Sequence, residues 1–230
     1  MGSFFKNPTI LRSIVSFFVL FISVTLHAQV TSTPAFPTAD EQIIIVYDAT
    51  QGASGLQGAS KVYMHAGVIL DGPTSTNWQN VVGNWGQDDG IGAMTKINGE
   101  TDKWEITITP REYFSVSANT SIYRIGMVFR NADGSKEGKN DSSQDIFLEI
   151  NNGGFSVIVE SPSSNYNVYA TTQSLPIKVQ TSEEATINLT IDDVLISSLS
   201  NTALLETTHQ TIIDGNVHTI EIFATNGTDE

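Results

Sequence analysis

The 230-residue chain contains no cysteine. That excludes a disulfide-stapled scaffold, thiolate-held zinc or iron–sulfur centres, and a lipid-modified cysteine. Cations are scarce as well, with 11 basic against 25 acidic residues and a formal net charge of −14. A surface so poor in positive charge repels phosphate backbones and anionic headgroups, so neither nucleic acid nor a membrane surface is an expected partner. Neutral ligands such as sugars carry no such penalty. Nucleophile elbow, His-Glu-x-x-His pair and phosphate loop are all missing. Beyond residue 28 the histidines are His65, His209 and His218, too scattered to propose a metal site, and no cofactor is expected. Helical periodicity is almost absent, which excludes a (β/α)₈ barrel of about 250 residues within this chain. Carboxylates are plentiful, and glycoside hydrolysis needs only two, about 5 to 9 Å apart. Sequence alone displays no such pair, and catalysis within these residues is not expected.

The long apolar run stands at the start. Lys6 and Arg12 precede Ile14–Leu26, and Leu-His-Ala-Gln (26–29) follows. That layout predicts a secretory signal peptide over residues 1–28, and hence a secreted or periplasmic protein with no membrane attachment after cleavage. A membrane anchor is the alternative, but the run falls short of the roughly 20 residues a spanning helix needs. Removal of the segment leaves nine basic and 25 acidic residues. An exported chain without disulfides depends on its apolar cores alone.

What is present points to β structure. Short runs rich in Val, Ile, Thr, Tyr and Phe are punctuated by Gly, Asn, Asp and Ser. Residues 29–40, with Pro34 and Pro37, read as a linker. Strands are expected at Gln42–Asp48, Lys61–Leu70, Trp104–Thr109, Ile122–Arg130 and Ile146–Ile150, with a hairpin turn at Asn-Ala-Asp-Gly (131–134). Asn151-Asn152-Gly153-Gly154 suits a boundary. Beyond it the spacing changes to that of an immunoglobulin-like sandwich, with six strands expected at Phe155–Glu160, Leu175–Thr181, Ala185–Asp192, Val194–Ser197, Leu204–Ile213 and Val217–Ala224. A seventh, closing strand is not visible. The fold class is therefore all-β: two sandwiches, residues 41–151 and 152–230, the second incomplete.

All three tryptophans fall between Lys61 and Trp104. Alternation in Lys61–Val68 puts Val62, Met64, Ala66 and Val68 on one face, and Tyr63, His65 and Gly67 on the other. Tyr63 and His65 then project together. A sugar ring stacks its apolar C–H face on a flat ring while its hydroxyls find polar neighbours, so such a surface suits a glycan. Packing beneath the following loop is the alternative for both. Trp85, among glycines, divides evenly between ligand and packing; Trp78, in polar surroundings, leans to ligand. Trp104 alternates with Ile106 and Ile108, and Tyr123 with Ile125, Met127 and Phe129, so both are expected in the core. Asp88-Asp89-Gly90 and Asp133–Glu137 lack EF-hand spacing and read as solvated turns.

Val62-Tyr63-Met64-His65, the loop with Trp78 and Trp85, Met94, Lys103–Thr107 and Tyr123–Gly134 together resemble a module at the front of secreted Bacteroidetes alpha-amylase-type glycoside hydrolases. That module is similar to small β-sandwich starch-binding modules. The resemblance implies stacking of an α-glucan polysaccharide on Tyr63, His65 and Trp78 (or Trp85), with Gln79 or Lys96 as polar helpers. The second half resembles the immunoglobulin-like spacer that precedes the catalytic domain in such enzymes. It implies a non-catalytic targeting region of a longer hydrolase. The competing expectation is a structural spacer that docks a neighbour without binding glycan.

Overall fold

The computed structural model describes residues 29–162 and 168–229; the segment read as a signal peptide lies outside them. In chain order the elements are β1 (Val30–Thr33), β2 (Ile43–Asp48), β3 (Tyr63–Ile69), β4 (Gln79–Val82), β5 (Thr95–Lys96), β6 (Lys103–Ile108) and a single helical turn, α1 (Pro110–Tyr113). There follow β7 (Arg124–Arg130), β8 (Glu137–Gly138), β9 (Ile146–Glu149), β10 (Val157–Ser161), β11 (Ser174–Ile191), β12 (Val194–Gln210) and β13 (Ile220–Thr225). The chain is all-β, in three open antiparallel sheets.

The first two sheets enclose one core. One sheet runs β1-β2-β6-β5; the other runs β4-β3-β7-β8, with β9 also on β7. Alternation decides which residues meet between them. Ile43, Ile45 and Tyr47 of β2 face Met64, Ala66 and Val68 of β3 and Ile125, Met127 and Phe129 of β7 in one buried cluster. Tyr47 and Phe129 stack across the core with centroids 3.9 Å apart and planes 13° from parallel. Trp104 is buried, as its alternation with isoleucines requires.

Two local expectations are corrected. Val30–Thr33, read within a linker, is an edge strand whose residues pair with Tyr47–Ile44 of β2. Its Thr and Ser are tolerated because one side of an edge strand stays in water, and the Gln29 amide pins its start by donating to the Lys139 carbonyl at 2.8 Å. Tyr123 is half-buried rather than core. It lies just ahead of β7, and Ile122 takes the fully buried place beside it.

Past the Asn-Asn-Gly-Gly boundary, β10, β11 and β12 pair in order and β13 joins β11. The six expected strands become four, because β11 and β12 each run through an expected break. Between Gln180 and Ala185 the register slips. The intervening residues form a bulge, which bends a strand without ending it. Odd-numbered residues from Leu175 to Ile191 are buried on both sides of the bend, with Glu183 alone turned out within it. Both halves of β11 therefore feed one cluster, in which Ile177, Val179, Ile187 and Leu189 meet Leu205 and Ala224.

Candidate functional site

The outer face of the β4-β3-β7 sheet carries the aromatic residues. On β7, Arg124, Gly126, Val128 and Arg130 alternate with the core residues, and they lie opposite Ile69, Gly67, His65 and Tyr63 of β3. Gly67 and Gly126 are thus register partners, and together they leave a floor without side chains. Trp78, immediately before β4, lies across that floor. A Cβ on Gly126 would stand 2.5 Å from Trp78 Nε1 and 3.1 Å from Phe147 Cε1, and one on Gly67 would stand 3.3 Å from Trp78 Cβ. Glycine is required here by close approach rather than by a turn. The loop before Trp78 is tied down by Arg124, which donates to the Ser75 carbonyl while its guanidinium covers the Phe147 ring at 4.5 Å.

His65 sits between the two loop tryptophans. Its ring centre is 6.1 Å from that of Trp78, with planes inclined by 34°. It is 5.4 Å from Trp85, with planes at 88°. Trp78 and His65 form a gently tilted floor, and Trp85 stands against it as a wall. Trp85 is 41% exposed, with Val81 and Ile91 among its exposed apolar neighbours in sequence. Burial pushes His65 below the ordinary histidine range, and the charge of Arg130 adds to that effect. Above the ordinary histidine value His65 is therefore neutral; its Nδ1 is buried against the loop, which leaves Nε2 as the one ring nitrogen that a ligand can meet.

The wall is held from beneath by Arg130, which the sequence reading passed over. Its side chain is fully buried. The guanidinium donates to the carbonyls of Asn84 (2.8 Å) and Gln87 (2.9 Å), on either side of Trp85. It also donates to those of Asn131 and Ala132, and it lies 4.4 Å above the Tyr63 ring. An arginine ending an otherwise apolar strand, Ile125–Phe129, was the available signal, since buried guanidinium groups need several acceptors. Gly134, with φ of +69°, closes the hairpin, and a Cβ there would meet Trp85 Nε1 at 2.8 Å.

The sequence-derived residues separate into two groups. His65, Trp78 and Trp85 come together. Tyr63 does not join them: it is 3% exposed, its hydroxyl donates to Asp88, and Arg130 covers its ring. Alternation placed it on the outer face correctly, but the 84–90 loop then buries that part of the face. Gln79 opens β4 opposite Val68 and is half-buried beside the floor. Lys96 lies on β5 in the opposite sheet, its ammonium 5.6 Å from the Trp104 ring and 3.5 Å from the Asp102 carboxylate. Asn84 and Gln87 bring exposed amides beside Trp85.

The acidic turns are occupied internally. Asp88 accepts from Lys61 at 2.6 Å as well as from Tyr63, and these bonds hold its carboxyl below the usual range. Asp89 accepts from Asn84 and from the Ile91 amide, and Asp133 from the amide and hydroxyl of Ser135. Among the described residues no group of three or more His, Asp or Glu is arranged to hold a metal ion.

Residues 30–137 are similar to a domain of unknown function, DUF8578. No curated protein matches the chain. The matched stretch begins with β1 and ends in β8. It takes in His65, Trp78, Trp85, Gly126 and Arg130, and stops short of Phe147.

Proposed function

We propose that the chain is a non-catalytic glycan-binding region, secreted and linked to an alpha-amylase-type hydrolase, which holds an α-glucan on His65, Trp78 and Trp85. One observation carries the reading: an exposed tryptophan stands at 88° to a histidine that continues the floor made by Trp78. A floor and a wall offer stacking faces in two directions. An α-1,4-linked chain turns from one glucose to the next and presents its C–H faces that way; a flat β-1,4 ribbon does not. The Gln87 amide, the Asn84 side-chain oxygen (its nitrogen donates to Asp89) and one ring nitrogen of His65 are the polar groups available to hydroxyls. Each stacked ring contributes on the order of 1 kcal/mol. Two or three then hold glucan with a Kd of roughly 5–40 mM, a useful strength when a tethered enzyme meets its substrate at high effective concentration.

The competing reading, a spacer that only docks a neighbouring domain, draws on the burial of Tyr63 and the close packing of Trp78 on Gly126. Affinity electrophoresis in gels with and without soluble starch separates the two. Glycan binding requires retardation by starch that Trp85→Ala abolishes with the fold intact. An unretarded, folded parent chain leaves the spacer reading standing.

A further inference from the structure

The second sheet carries a free edge that the glycan reading does not use. β12 pairs with β11 along one side, and among the described residues no strand pairs with its other side. Its first half is apolar and uncovered: Val194 is 61% exposed, Leu195 59%, Ile196 43% and Leu199 40%, with Leu204 at 42% further on. Val194 and Leu199 lie opposite Ile191 and Ile187, both in the buried odd-numbered series of β11, so they extend the core face to the open margin. Leu195 lies opposite Thr190, on the other face. Edges left in water are normally short, bulged, or guarded by lysine or proline. β12 has 17 residues, and none of them is lysine, arginine or proline; its one guard is bulging, where the pairing slips at Ile196 and between Leu199 and Thr202.

Charge narrows what can sit there. Residues 151–230 hold ten carboxylate side chains and a single lysine, with no arginine. That lysine, Lys178, is already paired with Glu160 at 2.8 Å. Asp193 and Glu206 bracket the apolar run along β12. A second copy of this chain would bring the same excess of negative charge, and anionic surfaces are repelled.

We infer that the β12 edge accepts an extended polypeptide segment, basic overall and apolar at alternate positions, which adds as a further strand. Its backbone would meet the unpaired side of β12, its apolar side chains would cover Val194 and Leu199, and its cations would face the surrounding carboxylates. Strand addition of this kind draws affinity from main-chain hydrogen bonds and selectivity from alternate side chains.

The test is fluorescence anisotropy of a labelled peptide alternating lysine and valine, titrated with the intact chain at physiological salt. Three controls accompany it: the glutamate–valine counterpart, the lysine–valine peptide N-methylated at alternate amides, and sedimentation velocity of the free chain. The expected result is saturable binding that weakens about tenfold or more when glutamate replaces lysine. Binding is lost on N-methylation, and lost in Leu199→Lys or Leu195→Lys chains that keep the parent circular dichroism. Leu195→Lys serves if Leu199→Lys does not fold, because Leu195 lies off the core face. The inference is overturned by any of three results: no saturable binding, equal binding of the N-methylated peptide, or a dimer that Leu195→Lys dissociates. The last would place a second copy on the edge.

Discussion

Gly126 decides where Trp78 lies, and its replacement is the sharpest single-residue test of the floor. Alanine there puts a Cβ 2.5 Å from the indole nitrogen, a distance that the ring must yield. Overpacking of this kind costs about 1–3 kcal/mol. Gly126→Ala is expected to lower the melting temperature, shift tryptophan emission and weaken starch retardation, all with the sheet preserved. Two histidines make opposite predictions about pH. His65 is lowered from its model-compound value of 6.5, chiefly by burial. Below that pH the unfolded chain takes up the proton more readily, so the stability due to neutral His65 is present above 6.5 and lost as pH falls. His218 is raised by hydrogen bonds to Asp192 and Asp214, its ring nitrogens lying 2.7 and 2.9 Å from their carboxylates. Its contribution is fully present below 6.5 and lost as pH rises through the raised value. Denaturation of His65→Gln and His218→Gln across that range should flatten opposite sides of the pH profile.

Among the elements, the 84–90 loop depends on Arg130 more than on its own sequence. In Arg130→Met the four carbonyls lose their donor, and the ring of Tyr63 loses its cation. Breaking a buried charged network costs about 3–5 kcal/mol. The change should raise amide exchange selectively in residues 84–90 and remove starch retardation with Trp85 still present. If retardation survives, Trp85 is not held for binding. Why this was hard to read beforehand is itself physical. β2, β3, β6, β7 and β9 are legible to within two residues because each is a short run rich in β-branched, aromatic and other apolar residues bounded by turn-forming ones. β1 reads as linker because an edge strand needs no apolar pattern, and β5 and β8 are too short to show one. Ring chemistry and local setting single out His65, Trp78 and Trp85, whose rings lie together in the structure. Tyr63 shares the face of His65, but alternation does not reveal that a loop about twenty residues later buries the one and leaves the other partly exposed. Arg130 acts on carbonyls about 45 residues away in the chain, a relation that no local pattern contains. Bulges likewise leave strand ends and strand bends looking alike in sequence.

At the scale of the whole molecule, the apolar interior is divided. One buried cluster spans Ala39 to Ile150 and the other Leu175 to Ala224, and no buried residue belongs to both. The two differ in completeness. The first is closed between two sheets; the second leaves Val157, Val159, Val194 and Leu199 at least 40% exposed around its margin. Hydrophobic stabilisation follows the area removed from water, roughly 25 cal/mol per Å², so the second cluster should melt first. It also carries the denser negative charge, ten carboxylates against one lysine in residues 151–230, and self-repulsion of that kind weakens as salt screens it. Calorimetry of the chain is therefore expected to resolve two transitions, the lower rising with added sodium chloride and the upper nearly fixed. Residues 29–152 produced alone should reproduce the upper transition and retain starch retardation, since every member of the aromatic site and its Arg130 support lies within them. A single salt-independent transition, or an unfolded 29–152 segment, would show instead that the closed sandwich depends on the open sheet beyond it. The division into two units would then fail, and with it the assignment of glycan binding to the first unit alone.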